Sequence, residues 1–542
     1  MARYFLLILL IVPGLMGCSS ETPTPRIVTA TPQEAADALT TAEQNDLPPL
    51  TVRRQDAGEV TPTPVLAATS MPEACSLESV ENTRTQYTVD AALNWAAQQV
   101  VVEEGIRYFN LTGRALESLV FQVEPHREPG FFSLHGISTS DGRPLEDIAL
   151  DLNRMEVGLS DALAPGCDIT LTMTYTLRIP PVLEGYFGRF GYLGFTDKQI
   201  NLGHWLPTVA VYREDWYAPR PHVVGEQSIS EVADYDVTLQ VENAPPTIDV
   251  AGPGQMQVLG DNQWAFKTEN ARDFAISVGN GFRRTSQLAP GGTVVEVYYF
   301  PETSAGSGFN AAAQSLKSAT EALALYEELF GVTYPDERLV IVEGDFADGM
   351  EFSGIAFVGE AWFRTWRGEA HDWITIITVH EVAHQWWYAM VGSDSASDPY
   401  LDEAFATYSE YLYFQRYIPD QTEWWWNFRV RGYDTTPGLL DADVYQYDNA
   451  RPYINATYLK GAEMLSVMRA LLGDEAFFAW LMNYAQENQF GIATPEDLWG
   501  ALSDEQYTQA QPVRERYMGQ PNIFGPPATA AATALPSATP GN

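Results

Sequence analysis

Two hydrophobic periods divide this chain. Between about residues 85 and 302, short runs rich in β-branched and aromatic residues often alternate apolar with polar positions, as at 98–109, 169–179, 234–241 and 293–300. Gly, Pro, Asn and Asp punctuate the runs, so this stretch predicts an all-β domain, a saddle or sandwich. The period then lengthens. Apolar residues at helical spacing over 309–330 predict a helix ending at Gly331, a suitable C-cap. Segments 339–343 and 350–358 are strand-like, and 372–391, 399–415, 458–472 and 474–487 are helical. Asp398-Pro399 supplies N-cap and first-turn chemistry for the second of these four helices. The expected architecture is a β domain at 73–305 and an α+β domain with a mainly helical second lobe at 306–524. A strand-rich lobe followed by a helical one places the deepest cleft between them.

The two ends read differently. Arg3, an apolar run over 4–12 and Leu15-Met16-Gly17-Cys18 have the layout of a secretory signal peptide over 1–18, too short to span a membrane. Residues 19–72 are rich in Thr, Pro, Ala and acidic side chains, with Thr-Pro-Thr-Pro at 22–25 and 61–64, and predict a disordered linker. The tail at 525–542 has the same Ala/Thr/Pro character and is expected to be disordered. The Leu-x-Gly-Cys ending resembles a bacterial lipobox, which implies lipidation of Cys18 and a protein anchored outside the cytoplasm at the cell surface. Cleavage without a lipid is the alternative. With Cys18 assigned, two of the three cysteines remain, Cys75 and Cys167. After export they are read as a disulfide or as two separately buried thiols.

Composition narrows the function. Hydrophobic content of 45% and aromatic content of 12% over 542 residues suit two or three globular domains. A formal charge of −40 is repelled by phosphate backbones and anionic headgroups, so nucleic acid is a poor partner and the lipid is the expected membrane contact.

The strongest chemical signal is His380-Glu381-Val382-Ala383-His384. On a helix the two imidazoles, four residues apart, reach one ion, while Glu381 lies beside it, placed to accept a proton from water. Zinc accepts imidazole and carboxylate, and three protein ligands leave one position for water. The chain has only seven histidines, and a chance His-Glu-x-x-His occurs in well under ~1% of such sequences. A third ligand should be a carboxylate on the next helix. Glu403, in Leu401-Asp402-Glu403-Ala404 and separated from His384 by eighteen intervening residues, fits once the chain reverses near 392–399. One zinc ion per chain is expected. Glu410 has two readings, a carboxylate orienting a ligand histidine or a surface ion pair.

These residues resemble the gluzincin zinc peptidases related to membrane alanyl aminopeptidase and leukotriene-hydrolase enzymes, over about 85–510. The resemblance implies a β saddle before a thermolysin-like catalytic domain. It implies that Tyr458, in Tyr458-Leu459-Lys460-Gly461-Ala462, donates to the oxyanion. It also implies that Gly349-Met350-Glu351 binds substrate, with Glu351 holding a free α-amine. Phe352 and Asp348 depart from the family's Gly-x-Met-Glu-Asn pattern, and 201–207 resembles a Trp-Tyr-Pro region without disclosing a second amine-binding residue. The implied activity is aminopeptidase cleavage of peptides. The alternatives are an endopeptidase or other amide hydrolase using the same zinc centre in a more open cleft, and a surface binding protein without catalysis.

Overall fold

Strand alternation does produce the β-rich half. The computed structural model describes residues 74–520, apart from Ser79 and residues 183–190, 306–307 and 433–437. The signal peptide with Cys18, the linker and the tail lie outside the described residues. Seven strands form one sheet in the order Gln255–Gly260, Gln263–Ala271, Ala233–Glu242, Thr85–Asn94, Gln99–Phe109, Asp168–Arg178 and Phe132–Thr139. Ala233–Glu242 shows the cause: every second residue from Ala233 to Val241 is buried while its neighbours are not. Those residues join Leu93, Val100, Leu119, Phe121 and Met173 in the core shared with a four-stranded sheet containing Leu116–Gln122 and Arg154–Leu163. A disulfide joins Cys75 to Cys167.

A five-stranded mixed sheet runs Arg283–Leu288, Val294–Tyr299, Arg338–Gly344, Ile355–Gly359 and Gly349–Phe352. The run at 293–300, expected within the β domain, pairs here in parallel with Arg338–Gly344, so hydrogen bonding attaches it to the helical half. Helix Ala311–Phe330 packs on this sheet, N-capped by Asn310 and ended by left-handed Gly331. Helix Trp373–Ala383 packs beside it and touches the last two strands of the sheet. Beyond lie Tyr400–Tyr417, Lys460–Leu472 and Asp474–Glu487.

Two expectations need correction. The single strand at 350–358 is a hairpin, Gly349–Phe352 against Ile355–Gly359, because Gly354 takes a left-handed φ of 74° and turns the chain. The helix expected to run to Val391 ends at Ala383, with His384 as its cap. Residues 384–391 stay buried, which sustains the apolar pattern, but their carbonyls have other partners. The Arg272 guanidinium, brought in from the β-rich half, donates to the carbonyls of Tyr388 (2.6 Å) and Met390 (3.0 Å).

Candidate active site

The donors come from two consecutive helices. His380 and His384 share one face of Trp373–Ala383 and its cap, with ring centroids 4.8 Å apart. The chain reverses, and Tyr400–Tyr417 carries Glu403 back so that its Oε2 lies 3.2 Å from His380 Nε2 and 3.5 Å from His384 Nε2. All three side chains are buried. A tetrahedral ion with bonds of ~2.0–2.1 Å to nitrogen and oxygen spaces its donors about 3.3 Å apart, so this triad fits one such ion and leaves a fourth position.

The far side of each imidazole is also held. His380 Nδ1 lies 2.9 Å from Glu410 Oε1, and His384 Nδ1 lies 2.5 Å from Asp402 Oδ1. A carboxylate at Nδ1 keeps the N–H there and turns the Nε2 lone pair toward the ion. Glu410 is fully buried, which excludes the surface ion pair; it accepts from Arg429 Nε and Nη2, each at 3.0 Å, and from Trp425 Nε1 at 3.0 Å. Burial disfavours the charged form of His380, but its hydrogen bonds to Glu403 and Glu410 win and raise it to about 9. Burial likewise pushes Glu403 up, and hydrogen bonds from both histidines pull it well below the usual carboxylate range. Glu403 and Glu410 are thus held anionic beside the two imidazoles, and an ion bound at the triad would take the place of any proton on their Nε2 atoms.

Glu381 faces the edge strand. An added Cβ on Gly349 would fall 2.0 Å from Glu381 Oε1, so glycine is what lets Gly349–Phe352 approach the helix. Strand alternation then aims Glu351 at the site: one of its carboxylate oxygens lies within 4.8 Å of ligand atoms of His384 and Asp402. Met350 and Phe352 point the other way, into an apolar cluster with Tyr298, Phe300 and Phe357. Phe352 thus departs from the family pattern on the core face, stacking edgewise on His204 with centroids 5.0 Å apart, and Met350 offers the site only its backbone. Gln385 fixes the hairpin to the helix end, accepting from Gly354 N (2.9 Å) and donating to Phe352 O (3.0 Å).

Tyr458 sits in a π-helical turn, Asn455–Leu459, that leads into Lys460–Leu472. Its hydroxyl donates to Glu403 Oε1, and its ring lies parallel to that of His380, 5.9 Å away. Gly461 allows the approach, since a Cβ there would meet that of Ala404 at 2.3 Å, and Lys460 Nζ donates to Gly438 O at 2.8 Å. The Tyr-x-Lys-Gly-Ala run is therefore a packing device that delivers one hydroxyl.

Four residues of the site were not assigned from the sequence. Asp402 adjoins the expected ligand, and that adjacency is its only signal. Arg429 and Trp425 come from a helical segment with no distinctive spacing. Glu226 comes from an irregular stretch of the β-rich half; burial, and then the charges of Glu403, Asp402 and Glu381, push it up to about 8 despite the attraction of His384. Its charged neighbours are those of the site.

Residues 314–517 match the model described as the peptidase family M1 domain. The chain is 30% identical over 227 residues to aminopeptidase N of Lactobacillus delbrueckii subsp. lactis, a match covering 38% of this chain and 26% of that protein. Aminopeptidase 2 of Candida albicans is 23% identical over 431 residues, covering 73% of this chain and 44% of the yeast protein. The chain thus spans less than half the length of these two relatives. Among solved structures, the M1 zinc metallopeptidase from Deinococcus radiodurans superposes with a TM-score of 0.59 at 17% identity, covering 80% of this chain and 93% of that one. A β-rich region followed by a mainly helical one is the fold the two share.

Proposed function

Because this chain carries a peptidase family M1 domain over residues 314–517, we propose that it is a zinc-dependent aminopeptidase that removes N-terminal residues from peptides. One observation carries the reading: beside a metal-donor triad lie two acidic side chains, the buried Glu351 and the half-buried Glu226, that the triad does not use. One ion per chain would be held by His380, His384 and Glu403. When bound, zinc lowers the pKa of water towards ~7 and polarises a carbonyl.

The remaining work falls to the chain's own residues. Glu381 Oε2 is buried without a hydrogen-bond partner among the described residues, and this oxygen accepts the proton of the attacking water and passes it to the leaving amine. The Tyr458 hydroxyl, which donates to Glu403, is close enough to donate instead to the oxyanion developing on the scissile carbonyl. Glu351 and Glu226 bind the α-ammonium. Burial, followed by their mutual repulsion, raises Glu351, and a cation between the two relieves that repulsion.

Zinc analysis of the purified protein, followed by kinetics on peptides with free and acetylated amines, tests this reading. Cleavage of free-amine peptides with bound zinc is expected, and equal cleavage of acetylated ones would replace it with an endopeptidase. Export and anchoring through Cys18 complete the proposal. Incorporation of labelled lipid into the wild type but not into Cys18→Ala is the expected result.

A further inference from the structure

One irregular segment of the β-rich half, residues 218–232, lies between Trp216–Tyr217 and Ala233–Glu242 and carries Glu226. It is held in shape by its own Gln227. That side-chain amide accepts from His222 N (2.8 Å) and Arg127 Nη2 (2.8 Å) and donates to Val224 O (2.9 Å) and Gly225 O (2.8 Å). So braced, the segment grips the helical lobe at several points. Val224 is buried among Ala396, Ala442, Val444, Tyr453 and Ala456. His222 Nε2 lies 2.8 Å from the carbonyl oxygen of Tyr447, and the Tyr445 hydroxyl donates to Arg220 O at 3.0 Å. Gly225 has a left-handed φ of 65°, and a Cβ there would fall 2.7 Å from Val444 Cγ1 and 3.0 Å from the Tyr453 ring and hydroxyl. Backbone of one lobe therefore lies directly on side chains of the other, one residue from Glu226. Tyr453 in turn packs edgewise on Tyr458, with centroids 5.8 Å apart.

We propose that this segment is a strap that walls off the cleft behind the substrate's first residue, and that its grip on the helical lobe sets how strictly a free N-terminus is required. The inference rests on the aminopeptidase reading above. A substrate extended beyond its first residue would have to pass where Gly225 meets Val444 and Tyr453. His222, Val224 and Tyr445 are positioning residues: they hold the wall without touching the reacting bond. A loosened strap admits an acyl group or a further residue while leaving the metal donors and Glu381 in place.

The test is the ratio of kcat/KM for a free-amine peptide to that for its N-acetylated form, measured in the full-length protein with zinc content and Tm alongside. The wild-type ratio probes the aminopeptidase reading by itself, and a ratio near one overturns that reading and the strap together. Given a selective wild type, the His222→Ala/Val224→Ala pair should lower the ratio by roughly tenfold, the equivalent of one hydrogen bond and a trimmed side chain. The change should come from gain on the acetylated peptide, with zinc retained. Tyr445→Phe, a mild change suited to the case where the pair fails to fold, should move the ratio the same way by less, and His222→Gln, which keeps a donor, should restore it. An unchanged ratio in folded variants, or a fall caused only by lost free-amine activity tracking lost Tm, overturns the proposal.

Discussion

The helix side of the cleft and the strand side are built on opposite principles. On the helix side each ligand imidazole has a carboxylate at Nδ1, and Glu410 is itself held by Arg429 and Trp425. Where the helix faces the edge strand, Glu381 Oε2 from the helix and Glu351 Oε1 from the strand are buried with no hydrogen-bond partner among the described residues. Leaving a buried polar group unsatisfied costs about 1–3 kcal/mol, and the charge of Glu226 adds to the burden on Glu351. One side is thus completed during folding and fixes the ion, while the other is completed only by water and substrate. Interactions withheld until the substrate arrives are the ones that can be realised on the reaction path.

The largest break in this contrast is Glu381→Gln. An amide of the same shape cannot shuttle a proton, so kcat should fall by ~10²–10⁴-fold with zinc content at the wild-type level. Elemental analysis with steady-state kinetics checks both halves, and normal turnover would remove Glu381 as the base. Tyr458→Phe comes next, because this hydroxyl reaches from the helical lobe towards the reacting atoms. A loss of ~10²–10³-fold in kcat with little change in KM is expected; an effect on KM alone would assign Tyr458 to ground-state binding.

Asp402→Asn tests the completed side. The amide holds His384 less well, so metal affinity should drop by ~10–100-fold in a chelator competition, with turnover recovering at saturating zinc. Glu410→Gln should weaken metal in the same way and also replace the Arg429–Glu410 ion pair with a weaker neutral contact, a further cost of about 1–3 kcal/mol seen as a lower Tm. Equal Tm in the two variants would mean that the Arg429–Glu410 contact adds nothing to the fold.

The same contrast explains what could be read from the sequence. His380, Glu381 and His384 were legible because their geometry is local, one turn of one helix, and Glu403 because a fixed spacing carries it across one reversal. Asp402 was in plain view beside Glu403, yet its direction depends on how two helices pack. Glu226 was not legible: it sits in a segment with no period, and only the contact of two lobes brings it to the site. The overlong helix at 372–391 has a related cause, since burial persists past Ala383 while Arg272, more than a hundred residues earlier, takes up the carbonyls.

The smallest effect makes the sharpest comparison. Glu351→Gln replaces a charged acceptor of the α-ammonium with a neutral one, a difference of about 1 kcal/mol, so KM for free-amine peptides should rise several-fold while kinetics on acetylated peptides stay constant. Its effect on stability should oppose that of Glu410→Gln. Burial first, and then Glu226, raise the folded-state pKa of Glu351 well above the usual range. A carboxyl raised on folding loses stability as pH climbs past its unfolded value of ~4.3, and an amide carries no such slope. In metal-depleted protein the Gln variant should therefore match the wild type near pH 4 and gain on it towards neutrality, read as a growing difference in Tm. A carboxylate that the fold has already partnered is weakened by conversion to its amide, whereas one reserved for substrate makes the resting protein more stable when converted. If Glu351→Gln lowers Tm at neutral pH as Glu410→Gln does, the strand side is a second completed scaffold and its acidic residues are structural.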